Sequence, residues 1–205
     1  MCATVSPRPL DDDTLDRLVR CLADLGVAGI DDRRPGLSSE EIRALTHDVP
    51  ASLPSEVQLW FSRWKWGEDL YDMLPRLRYN PLPDCVFVYH QALEWERDRR
   101  RDLLGPGESE TAPKTYAPSW IAAWFPLSHQ EGPLYVAVDL SASDGITAPV
   151  LQIDNGGGIS KPVARSLGDY VTHALDEINA GQWLYDREKH IWEPKEGWTA
   201  WAKRQ

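Results

Sequence analysis

Behind an acidic start at Asp11, Leu15, Leu18, Val19, Leu22 and Leu25 recur every third or fourth position, and Gly26 follows. That pattern predicts an amphipathic helix over Asp11–Leu25, lying on the outside of the core, with the preceding Met1–Leu10 a loose leader. The segment Leu37–Val49 carries a sharper signature. Ser38 stands as N-cap, Glu41 closes a capping box, Leu37 and Ile42 form a hydrophobic staple, and Ile42, Leu45 and Val49 share a face that Pro50 ends. Leu53-Pro54 opens a third helix, with Val57, Trp60, Phe61 and Trp64 on one side and Gly67 at its end. Cys85–Tyr89 reads as a short strand that leads into a charged helix from about Gln91 to Leu104, and Gly105–Pro118 reads as a loop.

Beyond that loop the period changes from helical to alternating. Trp120–Leu127, Leu134–Leu140 and Pro149–Ile153 are apolar, β-branched runs separated by Gly, Pro, Ser and Asp, as consecutive antiparallel strands are. In the second run Leu134, Val136, Val138 and Leu140 form a buried face, whereas Tyr135, Ala137 and Asp139 form a mixed one. Ser166, with Asp169 behind it, caps a last helix through Leu167, Tyr170, Val171, Ala174, Leu175 and Ile178, which Gly181 ends. The tail 182–205 carries Trp183, Trp192, Trp198 and Trp201 and is expected to dock on the body. The fold class is therefore α+β, a central, mainly antiparallel sheet flanked by helices.

The 205 residues suit one domain of ordinary size. Ten tryptophans each bring roughly 150–250 Å² to bury in a core or an interface. A formal charge of −10 disfavours phosphate backbones and anionic membranes, and makes a basic partner the better electrostatic match. Cys2, Cys21 and Cys85 have neither the number nor the spacing of a disulfide framework or a zinc site. With no signal-peptide core and no membrane-length apolar run, the expectation is a soluble cytoplasmic protein.

No H-E-x-x-H, G-x-S-x-G or P-loop occurs, and Gly156-Gly157-Gly158 lacks the following spacing to Lys and Ser/Thr that would cradle phosphate, so it reads as a flexible turn. His47, His90, His129, His173 and His190 stand at no metal-binding interval and read as surface or capping residues. No cofactor site is indicated. The strongest enzymatic constellation is Asp139, Asp144 and Asp154 near the sheet loops, with His129 on the preceding loop, where oxygen ligands could gather a divalent cation; the competing reading is ordinary Asx turns, with Asp144-Gly145 a turn dipeptide.

Taken in order, several pieces resemble the SMI1/KNR4 (SUKH) superfamily over roughly 36–192. They are Gly36-Leu37 with the capped helix, Leu53-Pro54 before an aromatic helix, Trp66-Gly67, and Trp124-Phe125-Pro126-Leu127. Tyr135–Leu140, Pro149-Val150 and Ala164-Arg165-Ser166-Leu167 with Tyr170-Val171 complete the series. Members often carry Asn-Gly where this chain has Trp66-Gly67, and the helix 11–25 and the tryptophan-rich tail lie outside the shared region. The resemblance implies a non-enzymatic binding protein, an immunity protein that occludes a toxin domain such as a nuclease with a basic surface. A regulatory or scaffold module with an endogenous partner is the alternative, and a metal enzyme using the three aspartates the third. Trp66, Glu68, Asp69 and Tyr71 are the expected partner-binding residues, joined by Asp139, Asp144 and Asp154 if these share a side.

Overall fold

A computed structural model describes residues 6–27, 36–63, 73–104, 120–129, 134–154 and 159–197. The expected loop at 105–118, the Gly156–Gly158 turn, Trp64–Gly67, Trp198 and Trp201 lie outside them. The first helix, α1 (Asp12–Asp24), is capped by the Asp11 carboxylate, which accepts the Thr14 N–H at 2.8 Å. Its end is closed by a Gly26 at φ 70°, where the Val27 N–H reaches Leu22 and the Gly26 N–H reaches Ala23, satisfying two otherwise orphaned carbonyls. Leu15, Leu18 and Leu22 are fully buried, and α1 lies against the last long helix.

The described end of the leader, residues 6–10, is pinned at Arg8 and Leu10 where the sequence suggests a loose segment. Leu10 is buried, its N–H is held by the Glu56 carboxylate, and the Ser166 hydroxyl donates to the carbonyl of Arg8. Helix α2 (Ser39–Leu45) has the full capping box of Ser38 and Glu41. It ends at Leu45, short of Val49, with the Thr46 hydroxyl donating to the Ile42 carbonyl at 2.9 Å at its close. Helix α3 (Ser55–Arg63) buries Glu56, Val57, Trp60 and Phe61.

A single helix, α4 (Leu82–Leu104), replaces the expected strand at Cys85–Tyr89 and takes in the charged segment as well. Pro83 falls in its first turn, where a missing N–H costs nothing, and the Pro81 carbonyl accepts from Asp84 and Cys85. Leu82, Cys85 and Tyr89 recur at helical spacing and join the main core, which an extended chain would not allow.

Four strands follow, β1 (Trp124–His129), β2 (Leu134–Asp139), β3 (Val150–Asp154) and β4 (Ile159–Ala164), and they pair antiparallel in chain order. The first begins at Trp124 because residues 121–123 turn, with the Trp124 N–H on the Ile121 carbonyl. Trp120 lies ahead of the strand and fills a second core. Helix α5 (Leu167–Asn179) then leads into a hairpin of β5 (Trp183–Asp186) and β6 (Ile191–Pro194). Trp183 and Trp192 are buried, so the described part of the tail docks as expected.

Both faces of the four-stranded sheet are covered. Phe125, Leu127, Val136, Val138 and Val150 face the main core, built with α1, α3 and α5. Tyr135, Ala137, Leu151 and Ile153 face a smaller core closed by Trp120 together with Val88 and Ala92 of α4, so the face read as mixed is buried at Tyr135 and Ala137. The two edge strands each carry a proline beside an irregular register, Pro126 next to the shift before Ser128 and Pro162 opposite the shift at Val150–Leu151. A proline on an edge strand removes a donor from the open ladder and hinders pairing with another chain.

Candidate functional site

Of the expected site residues, Trp66, Glu68, Asp69 and Tyr71 lie outside the described residues. The three aspartates are separated by the sheet. Asp139 ends β2, whereas Asp154 ends β3 opposite Leu134 at the start of β2. Five residues of strand, roughly 17 Å, lie between those ends. Asp144 sits in the β2–β3 connection on the Asp139 side, so the aspartates do not share one side. Each of the first two organises its own turn. Asp139 accepts from the Ser141 N–H at 3.0 Å, and Asp144 from the N–H groups of Ile146 at 2.8 Å and Thr147 at 2.6 Å, with Gly145 at φ 88°. Those hydrogen bonds hold the Asp144 carboxyl below its usual range. Among the described residues no group of three or more His, Cys, Asp or Glu side chains could hold a metal ion.

Among the described residues the buried carboxylate is that of Glu56. Its Oε1 accepts the Ala148 N–H at 3.0 Å, and its Oε2 accepts the N–H groups of Leu10 and Gly168, each at 3.2 Å. Burial pushes its pKa up, and hydrogen bonds from Ala148, Leu167, Gly168 and Leu10 pull against that rise. The carbonyls of Gly145 and Ile146 in turn accept from the N–H groups of Ser55 and Glu56 at the start of α3. Every partner of the carboxylate is a backbone amide, so Glu56 is a structural tie. In sequence it reads only as an acid in a first helical turn; the signal that marks it is its place one turn before buried Trp60.

A second polar cluster joins the 73–77 turn to α5. Arg76 adopts φ 67°, a left-handed conformation that favours glycine, between Pro75 and Leu77 in a turn closed by two Leu74–Leu77 hydrogen bonds. Its guanidinium lies 5.1 Å from the centroid of the Trp183 ring and 4.0 Å from Glu177, whose other oxygen accepts the Trp183 indole N–H at 3.0 Å. Burial raises the pKa of the adjoining Tyr170 hydroxyl.

Cys85 is buried, its thiol directed at the carbonyls of Asn80 and Leu127, and desolvation drives its pKa far up. His90 pairs with Asp48 at 2.8 Å and His173 with Glu177 at 3.4 Å, while His47 meets the Ala44 carbonyl and His190 the Tyr185 hydroxyl. These are capping and surface roles.

What the described surface does offer is the outer side of α4. Phe87 is 65% exposed and Trp95 48%, while the opposite side of the helix packs on β1 and the two cores. Aromatic rings left in water on a helix anchored along its back are suited to contact with another molecule. Neither residue belongs to the expected set, because a strand reading of Cys85–Tyr89 hides Phe87 and a charged-helix reading passes over Trp95. No protein-family model matches the chain, and no curated protein matches it.

Proposed function

We propose that the chain is a non-enzymatic binding protein that neutralises a cognate bacterial toxin domain by direct contact, as the resemblance to the SMI1/KNR4 superfamily implies. The observation that carries the reading is the pair of exposed aromatic residues on α4, Phe87 and Trp95. Aromatic side chains are the common anchors of tight protein interfaces. The formal charge of −10 adds to it, since a nuclease that grips phosphate presents a basic face and opposite fields speed encounter. The proline-bearing edge strands leave strand addition a poor mode of contact. No helix among the described residues is long and apolar enough to cross a membrane, which is compatible with action on a toxin in the cytoplasm. Co-expression with a toxin domain encoded beside its gene tests the reading. Restored growth together with a co-eluting complex on gel filtration is expected; undiminished toxicity with no complex removes it.

A further inference from the structure

Along the outer side of α4, Asp84, Phe87, Gln91, Glu94 and Asp98 succeed one another at three- and four-residue steps, with Trp95 four residues beyond Gln91, and so form one stripe. All but the half-buried Gln91 are exposed. The stripe runs for about 21 Å, and its two rings stand about 12 Å apart along the axis. Asp84 and Glu94 make no ion pair among the described residues, while Asp98 is held by Arg101 at 3.0 Å.

We propose that this stripe is the docking face for a basic amphipathic helix of the partner protein, its apolar residues seated on Phe87 and Trp95 and its Lys or Arg side chains opposite Asp84 and Glu94. Two features select this occupant. Rings spaced about two helical turns apart match the i, i+4, i+7 anchors of a helix laid alongside. Carboxylates that make no ion pair among the described residues stand beside both rings and call for positive charge, and a second copy of a chain with a formal charge of −10 would meet repulsion instead. The inference rests on the binding reading above and adds the surface and the chemistry of the partner.

The test uses a fluorescent lysine–leucine helical peptide of about four turns, followed by anisotropy on the full chain, with a scrambled peptide of the same composition as control. Saturable binding of the amphipathic peptide is expected, weakened about 30-fold by combined Phe87→Ala and Trp95→Ala and unaltered by Ile146→Ala, an exposed apolar residue elsewhere. Circular dichroism establishes that the variants fold. Equal binding of the scrambled peptide, equal binding by the double variant, or no saturation overturns the proposal. So does a wild-type dimer in sedimentation that the double variant dissolves, which would make a second copy the occupant. Protection from the toxin that survives the double variant sinks this inference and leaves the neutralisation reading standing; peptide binding without toxin protection does the reverse.

Discussion

The carboxylate of Glu56 accepts the backbone N–H of Gly168 across 112 residues of chain, at 3.2 Å. The same side chain holds Leu10 and Ala148, so the leader, the β2–β3 connection and the start of α5 meet on a single acidic residue of α3. A negative group at the N-terminus of α5 also complements the helix dipole.

Glu56→Gln should lower stability by about 2–4 kcal/mol, because an amide NH₂ placed against backbone N–H groups leaves buried donors without acceptors. The sign of the pH dependence follows from burial. A folded pKa above the ordinary 4.5 means that the carboxyl's contribution is complete below 4.5 and is lost as pH rises through the folded value. Urea denaturation at several pH values should therefore show the gap between wild type and Glu56→Gln widening from neutrality toward mild acid.

Gly168→Ala should be costly although the residue is helical. A Cβ there would stand 2.4 Å from the carbonyl oxygen of Arg8, which is backbone and itself held by Ser166. Displacing the leader also withdraws the Leu10 N–H from Glu56. A loss of about 1–3 kcal/mol is expected in thermal or urea unfolding, whereas Gly197→Ala, with open space around its Cβ, should cost only the strain of its φ of 79°.

Asp144→Ala should loosen the start of α3 from a distance. The carboxylate organises the loop whose Gly145 and Ile146 carbonyls hold the Ser55 and Glu56 amides. Faster hydrogen exchange at those two amides is expected in Asp144→Ala. Asp154→Ala, at the far end of the ladder, should leave them unchanged.

Arg76 separates two effects that a single variant would confuse. Both Arg76→Ala and Arg76→Gly lose the stack on Trp183, but only glycine relieves the left-handed backbone. Arg76→Ala should accordingly be less stable than Arg76→Gly by about 1 kcal/mol. Equal midpoints would show that the turn relaxes once the guanidinium is gone.

The legible parts of the fold were those written locally. Ser38 and Glu41 announce α2, and Gly26 and Gly181 stop α1 and α5, because each motif satisfies its own amides within a few residues. The run Cys85–Tyr89 misleads because Val86, Phe87 and Val88 suit a strand as well as a helix, and only the sheet beneath them decides. Tyr135 and Ala137 looked half solvated because nothing local reveals that Trp120 and α4 cover them. Glu56 was illegible for the same reason, with partners in three distant segments. The expected aspartates were recognisable as turn formers, which Asp139 and Asp144 are; the exposed aromatic pair required knowing which side of α4 faces water.

The tie at Glu56 also sets an order of assembly. As the chain leaves the ribosome, its acidic group must wait for residues 148 and 168 before it has a place to sit, so a nascent chain that stops short of α5 carries an unsatisfied charge where its interior should close.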